Sequence, residues 1–444
     1  MKSFQQIFCK WASKKKLQKN KFAYFKAQNA FIDTLACILS GVKEKQSKIA
    51  IKSCLETSNF GNIKLFGGGK KLSITSASFV NGVRSAAIDF DDYESVGASH
   101  PSAPIYSALL SISQIKPIKL AEIYDSWIVG YEIIIRLGQS LGYSHYYKGW
   151  HSAITLGTIG TAAAVSRALK LNSDQISNAI SIATSSSSGL KLQFGEDTKA
   201  FHIGLASQAG IQSALLAKYG GTANQNIWDD KRGFIEMYGT KSSKKLNLLI
   251  PKIKFGEASV KYPNFMKMWP TCSYTHRIIE AGILLNKKIK SKKDIKSIVI
   301  KFPEPWIRVS RFHIPKNTTE ARFSLSYCFS VSLLNGYLDF KSLNLHQNKK
   351  AWNLTKKIKL ITYNVPINYI DNDPKYYDTV HIILKNGDKY EQKVSKIKGG
   401  SLNPLSDEEI EQKYLMCGGK VNILNKIKKN KNKNKILNNL LFKV

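Results

Sequence analysis

Acidic residues are scarce in this chain of 444 residues: 31 Asp and Glu stand against 67 Lys and Arg, for a formal net charge of +36. Such a balance is typical of proteins that bind nucleic acid or anionic membranes. No zinc-finger spacing, RNA-binding aromatic signature or basic zipper accompanies the charge, however. The excess is also spread widely, for example over Lys287 to Lys293 and Lys426 to Lys435. We therefore interpret it as a solvated surface that can speed capture of a polyanionic substrate; a non-catalytic basic binder of nucleic acid or anionic surfaces is the alternative.

Cysteine is sparse and scattered, and long apolar runs are missing. The six cysteines lie far apart without a CxxC pair, so neither a disulfide framework nor a zinc site is supported. Nowhere do about 18 apolar residues follow one another, and the first 20 residues hold no run typical of a signal peptide. We expect a cytoplasmic protein without a membrane partner, whose 43% hydrophobic residues build a large core.

Several common catalytic motifs are missing as well. There is no GxGxxG after a strand, and no HExxH, GxSxG or EF-hand pattern, so metalloprotease, serine hydrolase and calcium-binding functions have no support. Gly67-Gly68-Gly69-Lys70-Lys71 resembles a phosphate loop only superficially, because the GxxxxGK[ST] spacing is not met. We interpret it as a glycine turn.

What is present up to about residue 265 is helical apolar spacing. It predicts helices over residues 29–39, 73–89, 103–114, 121–142, 151–170, 174–185 and 199–219. Small residues recur every four positions at His202, Ala206, Gly210 and Ala214, which favours close helix packing. Asn172 with Gln175 resembles a capping box, and Gly220-Gly221 ends a helix.

From about residue 266 short β-like runs begin and predict a second domain. Strands are expected at residues 298–302, 358–363 and 380–384, with a type I′ hairpin at Asn386-Gly387. One strong helix is expected over residues 319–334, and Ser406 with Glu409 predicts a capping box for a final helix. After it, residues 426–439 read as a Lys/Asn-rich tail of low complexity. The fold class is thus mainly α with a smaller α+β domain.

Basic and acidic side chains gather beside Gly, Ser, Thr and Pro in five short segments. Taken singly, a histidine is more often a structural group, and a cluster such as Asp89-Phe-Asp-Asp92 is more often a helix cap or a solvated face. Four histidines and two lysines near segment starts or turns favour a shared anion-binding, proton-transferring pocket. The segments are residues 89–92, 100–104, 149–152, 198–202 and 267–276.

Taken in order, these motifs closely resemble the MmgE/PrpD family from about residue 25 to 420. They read DFDDY, HPSAP, GYEIIIRLG, GWHSAITLGTIGTAAA, TKAFHIGLASQAG, KMWPTCSYTHRIIEA, EARFSLSYCFSVSLLNG and GSLNPLSDEEIEQKY. The family includes 2-methylcitrate dehydratase, cis-aconitate decarboxylase and iminodisuccinate epimerase. The resemblance implies a helical domain of residues 1–265 completed by a C-terminal helix within about 405–444, and an α+β lid domain of residues 266–404. It also implies a homodimer, and a site between the domains that needs no metal or organic cofactor.

The resemblance also assigns site residues. His100 and His151 become the first choices for general acid and base, Lys199 and Lys267 hold carboxylates, and Asp89 orients a partner. The remaining assignments are Tyr327 as a proton or hydrogen-bond donor, and His202, His276 and Tyr93 as substrate-binding residues. The alternatives are a helix cap for Asp89 and a lid-core aromatic for Tyr327.

One departure from the family pattern concerns the segment after Asp89. Many members read DFDDTH, whereas this chain has Tyr93 and Glu94 after the aspartates. A phenol thus replaces a small hydroxyl and a carboxylate replaces a histidine. We expect the added negative charge near the mouth of the site to disfavour a tricarboxylate.

The predicted function is a cofactor-independent lyase of a small di- or tricarboxylate. We expect a hydro-lyase resembling 2-methylcitrate dehydratase, with decarboxylase or epimerase as alternatives. Removing water, releasing CO₂ and inverting a centre beside a carboxylate all develop negative charge at carbon. Lysines stabilise that charge by charge-assisted hydrogen bonds, and a histidine moves the proton.

Overall fold

The computed structural model describes residues 2–15, 17, 20–57, 61–366, 373–429 and 433–442. Helices dominate the part up to residue 265, which confirms the mainly α class. Within the described residues no helix has both the length and the apolar character needed to cross a bilayer. The helices of this part are α1 (Phe4–Ala12), α2 (Lys21–Ser40), α3 (Lys45–Thr57), α4 (Ile74–Ala86), α5 (Ser102–Ile112), α6 (Leu120–Leu141), α7 (Tyr143–Lys148), α8 (Ser152–Ala168), α9 (Ser173–Thr184), α10 (Thr198–Lys218), α11 (Phe234–Tyr238) and α12 (Ala258–Lys261).

Close packing of α8 against α10 explains the small residues in both helices. A Cβ atom placed on Gly210 of α10 would lie 2.5 Å from the Cβ of Thr161 in α8, a distance that side-chain atoms do not tolerate. The capping box of Asn172 and Gln175 is present at the start of α9. Gly220, with φ of +96°, follows α10 as predicted. This packing fixes the first turns of α8 and α10 side by side.

A four-stranded sheet forms the smaller α+β part, as the sequence predicts. Its strands are β1 (Ile295–Pro303), β2 (Ile358–Tyr363), β3 (Asp378–Leu384) and β4 (Lys389–Val394), in the order β2-β1-β3-β4. β1 pairs in parallel with β2 and antiparallel with β3, so Ile300 lies opposite both Leu360 and Val380. The helices that accompany the sheet are α13 (His276–Lys288), α14 (Thr318–Ala321), α15 (Leu325–Asn335) and α16 (Lys349–Thr355).

The hairpin between β3 and β4 differs from the predicted type I′ turn. Among its residues only Gly387 has a positive φ, +94°, whereas a type I′ turn needs two. The Gly387 amide donates to the Leu384 carbonyl at 3.1 Å, and the Leu384 amide donates to the Asp388 carbonyl at 2.9 Å. This is the three-residue loop with a glycine bulge, which satisfies the right-handed strand twist with one left-handed residue.

The helix predicted over residues 319–334 is broken into α14 and α15. Ser324 interrupts it, because its hydroxyl accepts the amide of Tyr327 at 3.1 Å and so caps a new helix. Gly336, with φ of +76°, follows α15 as expected. The break places Phe323 between the two helices.

The C-terminal segment is less tail-like than its composition suggests. The capping box of Ser406 and Glu409 begins α17 (Asp407–Met416) as predicted, but α18 (Val421–Lys428) and α19 (Leu437–Leu441) follow it. Leu437 donates its amide to the Ile118 carbonyl at 2.9 Å, and its side chain is buried. Apolar residues at intervals among the lysines therefore return this segment to the helical core; residues 430–432 of the predicted tail lie outside the described residues.

Two large hydrophobic cores organise the described residues, one in the helical part and one around the sheet. The larger one joins α1, α2, α5, α6, α8 and α9 to side chains of α17, α18 and α19. The second one surrounds the sheet and takes in Tyr93, Tyr146 and Phe194 from the helical part. This packing supports our proposal that the C-terminal helices complete a helical domain and that residues 266–404 form a lid. The domain boundaries themselves stay a prediction.

Candidate active site

A small cavity forms where several segments of the helical and α+β parts meet. Most of its polar lining comes from the loop after α4, the residue before α8, the first turn of α10 and the residues before α13. The cavity has a volume of about 20 Å³, enough for about one ordered water. Its chemically active lining residues are Asp89, Tyr93, His100, His151, Lys199, Lys267, Cys272 and Tyr274, and its apolar rings are Phe194 and Phe323.

Asp89 is the centre of the charged cluster. Its carboxylate Oδ1 accepts hydrogen bonds from Lys199 Nζ at 2.7 Å and from Lys267 Nζ at 2.6 Å. Burial raises the pKa of this carboxyl group, but Lys199, Lys267 and His100 outweigh burial and hold the pKa well below its usual range. Asp89 is therefore an anion at neutral pH, and it is shared by two cations.

The backbone at Asp89 is strained in a way that suits a functional loop. Its φ is +56°, the left-handed region that non-glycine residues seldom occupy. Lys267 Nζ donates to the Asp89 carbonyl at 2.9 Å in addition to the carboxylate. This double contact holds both the backbone and the side chain of Asp89, so the residue is more than the helix cap considered above.

Lys199 enters the cavity from the first turn of α10. It is 6% exposed, and its Nζ lies 5.7 Å from the ring centres of both Phe194 and Phe323. Burial lowers the pKa of this ammonium group, but Asp89 opposes burial and the net shift is upward. The lysine thus keeps its proton inside an apolar wall.

His151 presents an unpaired nitrogen to the cavity. It stands immediately before α8, and its amide donates to the Gly189 carbonyl at 2.9 Å. Its Nδ1 shares a proton with Nδ1 of His202 at 2.8 Å, whereas its buried Nε2 has no hydrogen-bond partner among the described residues. Burial, followed by His202 and Lys199, lowers the pKa of His151 well below its usual value.

The His151–His202 pair sets which proton His151 can move. If His202 donates from Nδ1, the cavity-facing Nε2 of His151 carries a proton; if His151 donates, its Nε2 is a free base. Burial also lowers the pKa of His202 to about 4. The pair is therefore neutral in the empty site and can act in either direction.

His100 is paired with Asp91, which was not among the predicted site residues although it lies in the predicted segment of residues 89–92. Its Nδ1 lies 3.1 Å from Oδ2 of Asp91. Burial lowers the pKa of His100 although Asp91 opposes it, and despite burial the nearby His100 lowers the pKa of Asp91. The ring of His100 lies 6.3 Å from that of His151 and 5.8 Å from that of Tyr93. Two predicted acid/base residues are thus brought together at one wall.

Tyr93 lines the cavity, but Glu94 does not. The Tyr93 hydroxyl is hydrogen-bonded to that of Tyr143. The Glu94 carboxylate turns into its own loop, where it accepts the amides of Val96 at 2.7 Å and Ser99 at 3.0 Å and the hydroxyl of Ser99 at 2.7 Å. The expectation that Glu94 adds negative charge at the mouth of the site is therefore wrong. The carboxylate is buried and hydrogen-bonds within its own loop instead.

Three of the residues assigned by resemblance lie outside the cavity. Tyr327 is buried in a separate apolar cluster and donates its hydroxyl to the Ser342 carbonyl at 3.0 Å. His276 is buried between the rings of Phe265 and Trp269, and burial lowers its pKa to about 3. His202 lies behind His151. The structure thus places Tyr327 in an apolar core, as the alternative considered above has it, and neither Tyr327 nor His276 lines the cavity.

The cavity also contains residues that sequence reasoning missed. Phe194 packs on His151 with ring centres 4.8 Å apart, and nothing in its sequence context indicated this position. Tyr274 belongs to the segment of residues 267–276 already singled out, so its sequence context did point to the site. Cys272 from the same segment also lines the cavity, where burial raises the pKa of its thiol to about 12.

The cysteines and the acidic groups do not form a metal centre in the described part of the chain. All six cysteines are buried free thiols. Within the described ranges no cluster of three or more His, Cys, Asp or Glu side chains is arranged to hold a metal ion. Cofactor independence stays a prediction.

Comparison with known proteins identifies one family over most of the chain and relatives that share one name. Residues 6–247 match the MmgE/PrpD N-terminal domain, and residues 269–435 match the MmgE/PrpD C-terminal domain. A human cis-aconitate decarboxylase is 27% identical over 406 residues, which cover 88% of this chain and 82% of the relative. The mouse cis-aconitate decarboxylase is 29% identical over 78% of this chain and 72% of its own length, and that of Aspergillus terreus is 23% identical over 91% and 86%.

Proposed function

This chain belongs to the MmgE/PrpD family and is a lyase, and on that premise we propose that it releases CO₂ from a small tricarboxylate of the cis-aconitate type. The observation that carries the proposal is the pair of buried ammonium groups, Lys199 and Lys267, beside the unpaired Nε2 of His151 in one cavity. The relatives named above are decarboxylases, which favours loss of CO₂ over loss of water. The hydro-lyase expected from the sequence is the second candidate.

The two lysines suit the binding and the charge development that decarboxylation requires. When the C–C bond to the leaving carboxylate breaks, its electron pair stays on carbon and spreads into a neighbouring carboxylate. Ammonium groups held inside a poorly hydrated cavity stabilise that charge more than they would in water. Substrate carboxylates thus compete with Asp89 for Lys199 and Lys267.

A histidine completes the reaction by supplying the proton. One proton must be added to carbon for each CO₂ released, and it comes from the imidazolium of His151 or His100. His151 is better placed, because it lines the cavity and no described residue hydrogen-bonds to its Nε2. After this transfer His151 is neutral with its remaining proton on Nδ1, where Nδ1 of His202 accepts the hydrogen bond.

The charge balance of the empty site makes substrate binding depend on protons. Lys199 and Lys267 carry two positive charges, and Asp89 and Asp91 carry two negative charges. The site is therefore close to neutral before a ligand arrives. A trianion brings charge that the histidines compensate by taking up protons, so the proton used at carbon enters the site with the substrate.

The size of the cavity indicates that the site must open. A volume of about 20 Å³ has no room for a molecule with three carboxylates. The walls come from both the helical part, which supplies Lys199, and the α+β part, which supplies Tyr274. We propose that these parts separate to admit substrate and close again to exclude water during the reaction.

The proposal is tested by NMR of purified protein in D₂O with cis-aconitate, 2-methylcitrate and citrate supplied separately. We expect CO₂ release from cis-aconitate with one deuterium incorporated per product molecule at carbon. Lys267→Met should abolish the signal, whereas Lys261→Met, on the surface near Glu257, should not. Water loss from 2-methylcitrate without CO₂ release would favour the hydro-lyase, and no turnover of any polycarboxylate would contradict both.

A further inference from the structure

Lys413 of α17 lies behind the candidate site and is almost completely buried, with 3% of its surface exposed. Its Nζ donates to the Phe90 carbonyl at 2.8 Å and to the Lys267 carbonyl at 2.9 Å. The same Nζ lies 2.7 Å from Oδ1 of Asp33 in α2 and 3.7 Å from the ring centre of Phe90. One ammonium group therefore joins three separate segments of the chain.

The two carbonyl groups belong to the backbone that carries the central contact of the site. Phe90 directly follows Asp89, and Lys267 is one of the two lysines bound to the Asp89 carboxylate. Lys413 ties these backbones from behind, while the Lys267 side chain ties them from the cavity side at 2.6 Å. Lys413 itself is not among the residues that line the cavity.

We propose that Lys413 is a positioning residue for the reaction at this site. It holds the strained backbone at Asp89 and Phe90 in register with Lys267, so that the carboxylate and the ammonium groups meet the substrate at fixed distances. The proposal rests on the proposed function, because positioning matters only if Asp89 and Lys267 take part in turnover. A displacement of about 1 Å at such groups costs on the order of a hundredfold in rate.

If Lys413 only paired with Asp33, it would be a purely structural residue. Its two further hydrogen bonds to backbone carbonyls indicate the positioning role in addition. A buried pair of opposite charges contributes little net stability, and apolar residues of similar size often replace it without loss. The two carbonyl contacts have no such replacement, because an apolar side chain leaves both oxygens without this donor. Removing both charges together therefore separates the structural role of the ion pair from the positioning role of the carbonyl contacts.

The test uses the Asp33→Asn/Lys413→Met double variant, which removes both buried charges together. Lys413→Met alone leaves Asp33 uncompensated and is expected to destabilise the protein, so the double variant carries the test. The matched control is Lys398→Met, which removes a partly exposed lysine that also pairs with α17, through Glu409 at 2.8 Å. Circular dichroism melting, kcat and KM for cis-aconitate, and hydrogen exchange by mass spectrometry are measured for each.

We expect the double variant to fold with a wild-type spectrum and to lose at least about tenfold in kcat, while its KM changes by less than about threefold. Exchange should increase in peptides covering residues 89–94 and 264–268 and stay unchanged over residues 325–335. A folded double variant with wild-type kcat and unchanged exchange would overturn the proposal. If the wild-type protein turns over no polycarboxylate, the proposed function fails, and exchange in these two peptides alone supports or overturns the positioning role.

Discussion

Lysines at the surface and lysines in the interior of this protein have the same charge but opposite surroundings. Stretches such as Lys287 to Lys293 lie mostly exposed and add to a net charge of +36. Lys199, Lys267 and Lys413 are at most 6% exposed, and an aspartate lies within 2.7 Å of each ammonium group. The basic composition is thus mainly a property of the surface, whereas the proposed chemistry depends on a few buried lysines that pair with aspartates.

The largest expected effect comes from removing one interior lysine. Lys199→Met or Lys267→Met should lower kcat/KM by about a thousandfold, because each takes away a cation that faces developing negative charge in a closed cavity. The surface variant Lys261→Met should stay within about twofold of wild type. Steady-state kinetics with cis-aconitate makes the comparison. Residual activity within about tenfold of wild type in both interior variants would remove these lysines from the site.

The second largest effect is expected from His151→Ala. This variant tests whether turnover needs a histidine that donates a proton beside Lys199 and Lys267. We expect a loss of about a hundredfold in kcat with little change in thermal stability. His381→Ala provides the control, since His381 on β3 is exposed and paired with Glu391 at 3.4 Å. A kcat unchanged by His151→Ala would transfer the proton step to His100.

Proton uptake on substrate binding tests whether the buried lysines are already balanced by the aspartates in the empty site, unlike the lysines at the surface. Burial lowers the pKa of His100 and of His151 in the empty site, and a bound trianion raises both again. Binding therefore consumes protons near neutral pH. As the pH rises, the association constant should fall by up to about tenfold per pH unit for each proton taken up. Calorimetry with a non-reacting tricarboxylate, in two buffers of different ionisation enthalpy, measures the number; identical heats in both buffers would refute the charge balance.

The smallest effect is expected from salt. Turnover at saturating substrate should change less than about twofold between low and physiological ionic strength, because the interior pairs are screened weakly. Binding of duplex DNA by the surface lysines should be weak and fall steeply over the same range. Tight, sequence-selective DNA binding at physiological salt without any turnover would instead favour the non-catalytic binder.

The sequence predicted the elements of the fold well, because their signals are local. The apolar spacing of α6, α8 and α10, the capping boxes at Asn172 and Ser406, and the strands of the sheet are all confirmed. Two of the errors have different causes, a local helix cap in one case and tertiary packing in the other. Ser324 breaks a helix that periodicity alone continues, and buried leucines fold back a segment whose composition resembles a tail.

The candidate site was predicted only in part, because only some of its residues have local sequence signals. Asp89, His100, His151, Lys199 and Lys267 stand in recognisable motifs, and the structure brings them together. The homology motif around Tyr327 gave no information on where its hydroxyl points, and its partner at Ser342 is visible only in the fold. Lys413 also lies within a recognised motif, but its role depends on carbonyl groups far along the chain, which no local pattern encodes.

The contacts of Lys413 also determine when during synthesis the site can form. Its hydrogen bond to the Phe90 carbonyl joins residues 323 positions apart, and the packing of Leu437 against Ile118 closes a loop of similar length. Contacts this distant form only after the intervening chain is made, so the helices before residue 265 emerge from the ribosome well before the residues that brace their active loop. A chain that ends before α17 would therefore expose the loop of Asp89 without the hydrogen bonds that Lys413 donates to Phe90 and Lys267.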